Sequence, residues 1–74
     1  MGMLIDIKKI KENDTEVFYS FSTPEGSFGE VSINKKTGDI RSDDKKEALV
    51  ARVGIKLLQH WRKGEFPDIT MWAS

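Results

Sequence analysis

Few side chains in this sequence could carry out catalysis or bind a metal. Its 74 residues include one histidine, His60, and no cysteine. A zinc site normally takes three or four protein ligands, mostly His and Cys. The adjacent Asp43-Asp44 pair lacks the alternating acidic spacing and central glycine of a calcium loop. His60 could act as a general acid or base only with a partner group and a pocket. We therefore predict a non-enzymatic protein with no catalytic residue, no metal and no cofactor.

The glycine-containing segments do not predict a phosphate-binding loop. Residues 26–29, Gly-Ser-Phe-Gly, lie between two predicted strands. A Walker-type loop instead ends in Gly-Lys-Ser/Thr and leads into a helix. The Gly-x-Ser-x-Gly nucleophile elbow is also absent. We therefore expect no bound nucleotide and no small-molecule ligand.

Basic side chains provide the only indication of a charged partner. Lysine pairs occur at 8–9 and 35–36, and a predicted helix carries one basic stripe: Lys45, Arg52, Lys56 and Lys63. Such a stripe could follow the phosphates of a nucleic acid. However, twelve Lys and Arg are balanced by twelve Asp and Glu, so the formal net charge is zero. A solvated helix face explains the stripe more simply, and nucleic-acid binding is the alternative hypothesis.

Alternation of apolar and polar residues predicts strands in the first part of the chain. The pattern favours an antiparallel meander of three to four strands, over residues 4–10, 16–22, 27–34 and 39–42. Pro24 and Gly26 suit the second and fourth positions of a turn. Gly38 suits the left-handed position that closes a hairpin loop after Asn34.

A helical period replaces this alternation from about residue 44. Asp44 and Glu47 have the spacing of a capping box, Gly64 suits a C-cap and Pro67 prevents continuation, so the helix should cover 44–63. Its apolar arc spans about 200°, about twice what one packed sheet requires. The helix should therefore contact the sheet and also the tail or a second copy. Gly54 lies in this arc at a cost of about 1 kcal/mol relative to alanine, which predicts close packing of its backbone.

The segment from Val17 to Ile40, VFYSFSTPEGSFGEVSINKKTGDI, resembles the closing hairpin of PepSY-type domains, in which a strand pair ends in a D-x-x-T-G-like turn. In that family a helix precedes the hairpin, whereas the helical pattern here follows it. The resemblance therefore implies a hairpin and no function.

Large apolar side chains in the tail and on one face of the sheet are the candidates for contact with a protein partner or a second copy. Residues 66–72 are too apolar for a disordered terminus, and they could form an edge strand with Ile69 and Met71 on one face. The strand face opposite the helix would be open to water, unless the tail or a partner covers it. The candidate protein interface comprises Leu4, Ile10, Phe18, Phe28, Gly54, Phe66, Ile69 and Trp72.

These patterns together predict a single α+β domain over residues 1–74. It consists of an antiparallel β-meander over about 4–42, one long helix packed on one face and an ordered tail over 64–74. The predicted function is a small non-enzymatic protein-interaction module that self-associates or binds a protein partner. No apolar run approaches the roughly 20 residues of a membrane span, and no secretory signal is apparent. We therefore expect a cytoplasmic protein without membrane contact.

Overall fold

A computed structural model describes residues 4–42 and 47–73. Its elements are β1 (Leu4–Glu12), β2 (Glu16–Ser22), β3 (Phe28–Asn34), β4 (Ile40–Arg41), α1 (Glu47–Arg62) and β5 (Ile69–Ala73). The five strands form one sheet of order β4-β3-β2-β1-β5, and every neighbouring pair is antiparallel. The predicted α+β class and antiparallel meander are confirmed. The C-terminal segment adds a fifth strand beside β1.

The core lies between one face of the sheet, here called the inner face, and α1. Alternate residues of the three long strands are buried there, and the helix contributes two fully buried side chains. These core residues are Ile5, Ile7, Val17, Tyr19, Phe21, Val31, Ile33, Val53 and Leu57. The apolar residues that recur every second position in the strands and at helical spacing in α1 therefore pack together in a single layer.

The helix ends at the predicted C-cap. Gly64 has a φ of 73°, its N–H donates to the Trp61 carbonyl, and the Glu65 N–H donates to the His60 carbonyl. These two bonds form a Schellman motif, which satisfies carbonyls that the helix leaves unpaired. The proposed N-terminal cap, Asp44, lies outside the described residues.

Gly54 is buried, but its backbone is not closely approached. A Cβ at this position would lie 3.6 Å from the nearest Ile40 side-chain carbons, which is an ordinary van der Waals distance. The predicted close backbone packing at Gly54 is therefore wrong, because the neighbouring side chain leaves room for a methyl group.

Gly38 makes the close contact that was expected of Gly54. It closes the β3–β4 loop at a φ of 78°, and a Cβ there would meet the Trp61 ring at 3.1 Å. The Trp61 Nε1–H donates to the Lys35 carbonyl over 2.8 Å. The indole therefore lies against the loop backbone, and this contact holds the hairpin loop on α1.

A β-bulge in β1 places Glu12 on the inner face, where Lys9 already lies. Lys9 pairs with Tyr19 and Lys11 pairs with Phe18, so Ile10 is the extra residue. In a regular strand Lys9 and Glu12 would point to opposite faces. The extra residue reverses the alternation, so that both lie on the side that carries Tyr19.

Candidate interaction surface

The sheet face opposite α1, here called the outer face, carries large exposed apolar side chains. The β1–β5 register pairs Asp6 with Met71 and Lys8 with Ile69, so both β5 side chains lie on this face beside Leu4. Their exposed fractions are 71% for Ile69, 44% for Met71 and 38% for Leu4. Phe28, at the start of β3, is 71% exposed. In the described part of the chain, α1 lies on the other side of the sheet and forms no second layer over Leu4, Ile69 and Met71.

The tail does not cover the outer face. Thr70 and Trp72 alternate with Ile69 and Met71 along β5, so they point toward the helix. Trp72 and Phe66 pack against the core. The interpretation in which Phe66, Ile69 and Trp72 cover the sheet is therefore wrong, because the tail extends the sheet sideways and enlarges its apolar outer face.

The predicted interface residues divide into two groups. Leu4, Ile10, Phe28 and Ile69 are exposed, with Ile10 at the bulge. Phe66, Trp72 and Gly54 are used within the chain itself, and Phe18 is half-buried with the Lys11 ammonium 4.8 Å from its ring centroid. Met71 is absent from the predicted set, although its alternation with Trp72 could have revealed it.

Small residues leave a groove in the centre of the outer face. Ser20 and Ser22 of β2 form its floor, and Asp6, Lys8 and Ile69 line one side. The groove is open and holds one carboxylate and one ammonium group. Its shape suits the docking of a side-chain ridge, and it lacks the enclosure typical of a small-molecule site.

The lysine pairs contribute to an ion network on the inner face. The Lys9 ammonium lies 2.7 Å from the Glu12 carboxylate and 3.3 Å from that of Asp68, while the Lys35 ammonium lies 2.6 Å from Glu12. Hydrogen bonds from Lys35 and then Lys9 lower the pKa of Glu12 to about 2. The bond to Glu12 raises the pKa of Lys9. One lysine of each pair is therefore neutralised within the chain.

Tyr19 fastens the segment before β5 to the core. Its side chain is fully buried, and its hydroxyl donates to the Pro67 carbonyl over 2.9 Å. Burial raises the pKa of this phenol to about 12. A phenol that is neutral and committed to a backbone carbonyl stabilises the fold and is poorly suited to acid–base chemistry.

His60 contacts β5 from the helix. Its Nε2 lies 2.9 Å from the Thr70 hydroxyl, and its buried Nδ1 has no hydrogen-bond partner among the described residues. Burial lowers the pKa of His60, and the charges of Lys56 and Lys63 lower it further. His60 is therefore half-buried where α1 meets β5.

Two members of the predicted basic stripe, Lys56 and Lys63, lie near His60 on the side of α1 that contacts β5. Lys56 and Lys63 act on His60 there, and the Arg52 guanidinium donates to the Ala48 carbonyl over 3.0 Å. Lys63 is exposed, whereas Arg52 and Lys56 are half-buried. Lys45 lies outside the described residues.

Comparisons with known proteins identify no relative. No family model, curated protein or solved structure matches this chain. Within residues 4–42 and 47–73, no group of three or more His, Cys, Asp or Glu side chains could hold a metal ion. The one helix described there is too short and too polar to cross a membrane.

Proposed function

We propose that this chain is a small non-enzymatic interaction module that self-associates through β5 and the apolar outer-face side chains beside it. The observation that carries the proposal is the position of the tail, which adds Ile69 and Met71 to the exposed side of the sheet. Together with Leu4 they form an apolar patch that no described element covers. Exposed apolar patches of this kind are typical of contact surfaces.

The described polar groups support a non-enzymatic role. Lys9, Glu12 and Lys35 neutralise one another, Tyr19 is bound to a backbone carbonyl and His60 contacts a hydroxyl that belongs to a structural strand. In the described part of the chain, these groups do not converge on an enclosed cavity. A cytoplasmic location stays a prediction.

Two matched isoleucines test the proposal. Ile69 is 71% exposed on the outer face, and Ile55 is 48% exposed on the helix. Burying an isoleucine contributes roughly 1.5–3 kcal/mol, so Ile69→Ser should weaken association about tenfold or more. Ile55→Ser should leave it unchanged. Sedimentation velocity over a concentration series measures both, and a parent chain that stays monomeric throughout would contradict self-association.

Nucleic-acid binding is the alternative function. It is favoured by the position of Lys56 and Lys63 on one flank of the helix, where the charges of both lower the pKa of His60. The zero net charge and the neutralised lysine pairs weigh against it. Titration with a generic duplex at low salt separates the two functions: binding that falls with salt, and that Lys56→Gln and Lys63→Gln reduce, would support this alternative.

A further inference from the structure

The two edges of the sheet differ in how they are protected. β4, at one edge, has only two residues, and a very short edge strand offers little to a second chain. β5, at the other edge, has five residues, Ile-Thr-Met-Trp-Ala. It contains no charge, no proline and no glycine. An edge strand of this length and composition is a template for pairing with another strand.

The hydrogen-bond pattern shows which backbone groups of β5 are free to pair. The Lys9 N–H donates to the Asp68 carbonyl. These two residues are opposite each other when the β1–β5 register is continued one pair beyond Lys8 and Ile69. Hydrogen-bonded pairs alternate along an antiparallel ladder, so Thr70 and Trp72 also bond to β1. The N–H and C=O groups of Ile69, Met71 and Ala73 therefore point away from the sheet.

We propose that β5 pairs antiparallel with β5 of a second copy, about a two-fold axis at Met71. In this register Met71 opposes the Met71 of the second copy, and Ile69 opposes its Ala73. Each opposed pair exchanges both of its hydrogen bonds, so every outward-pointing group of β5 is paired. A shift of the axis to Thr70 or Trp72 leaves outward groups unpaired. The inference rests on the proposed self-association and specifies its geometry.

The side chains are compatible with this arrangement. On the outer face, Met71 would contact its own copy and Ile69 would contact Ala73. On the inner face, Thr70 would lie opposite Trp72. No pair brings charges together, so the repulsion that opposes many edge-to-edge contacts is absent. Leu4, the neighbour of Ala73 on β1, extends the apolar surface on both sides of the axis.

A single introduced cysteine tests the axis, because the chain has none of its own. Opposed residues in a hydrogen-bonded pair have Cα atoms about 5.5 Å apart, which is within the range for a disulfide. Met71→Cys should therefore form a covalent dimer under mild oxidation at least tenfold faster than Phe28→Cys. Phe28 lies on β3, about 17 Å from the axis by strand spacing, and serves as the matched control.

Two mixtures test the register. Ile69→Cys and Ala73→Cys should cross-link to each other when mixed, and faster than either variant cross-links alone. Met71→Lys and Met71→Glu should each associate at least fivefold more weakly than the parent, because like charges would oppose each other at the axis. Mixing the two charge variants should restore association, since Lys would then oppose Glu.

The outcomes separate this inference from the proposed function. A parent chain that sediments as a dimer, but whose Met71→Cys variant cross-links no faster than Phe28→Cys, would overturn edge pairing and leave self-association intact. Rapid cross-linking of Phe28→Cys would indicate face-to-face packing of the sheets and would likewise overturn it. A parent chain that is monomeric at every concentration would overturn both proposals.

Discussion

Replacing Gly54 with alanine should stabilise this domain. Glycine within a helix costs about 1 kcal/mol relative to alanine, and part of this gain arises because alanine restricts the unfolded chain. The added Cβ would meet Ile40 at 3.6 Å, so it fills space at an ordinary contact distance. We expect the free energy of unfolding to rise by about 1 kcal/mol, which corresponds to roughly 4–8 °C in Tm for a domain of this size.

Urea and thermal denaturation measure this change, with two variants as controls. Ala51→Gly, at an exposed helix position, should lose about 1 kcal/mol and calibrates helix propensity without a tertiary contact. Gly54→Leu should instead lower stability by about 1–3 kcal/mol, because its larger side chain overpacks against Ile40. Each variant is compared with the parent at the same protein concentration, since association raises the apparent stability.

One result would refute the reasoning. If Gly54→Ala is no more stable than the parent while Ala51→Gly loses the expected amount, the space beside Ile40 is not available to a methyl group. Ile40 would then pack more tightly against the helix backbone than the 3.6 Å distance indicates.

Three further changes test other contacts. Gly38→Ala should lower the unfolding free energy by about 1–2 kcal/mol from left-handed strain alone, and the tryptophan fluorescence of a Trp72→Phe background should change as the Trp61 ring is displaced. Glu12, whose pKa falls from 4.5 to about 2, contributes stability that is present above pH 4.5 and lost as the pH falls toward 2. Urea midpoints at about pH 6 and about pH 3 should therefore differ less in Glu12→Gln than in the parent. Ending the chain after Gly64 removes β5 and the Trp72 ring, whose burial contributes roughly 1.5–3 kcal/mol; an unchanged Tm in that variant would show that the strand is dispensable.

Local sequence patterns predicted much of the fold, because strand alternation and glycine turns depend on residues that are close together in the chain. The range of β2 matches the prediction, Gly38 occupies the left-handed position and Gly64 ends the helix. The bulge at Ile10 was not predictable in this way. Ile10 continues the alternation of β1 in the sequence, and only the pairing of Lys9 and Lys11 with β2 shows that it is an extra residue.

The candidate surface was harder to predict than the strands. Alternation placed Leu4 and Phe28 on the exposed face, but it could not show where the tail would go. The position of Trp72 depends on which strand β5 joins, and that partner, β1, lies at the other end of the sequence. For the same reason the packing of Trp61 against the Gly38 loop was not apparent from helical spacing alone.

The pairing of the first strand with the last makes β5 a reporter in hydrogen exchange. Closing a chain segment this long costs more entropy than closing a hairpin, so β5 should open without global unfolding. The Thr70 amide, which bonds to β1, would then exchange at this local opening, whereas the Tyr19 amide in the middle of the sheet would exchange at a higher free energy. The Met71 amide points outward, so it should exchange rapidly in an isolated copy. If edges pair, its exchange rate should depend on protein concentration, and that single amide would measure the association.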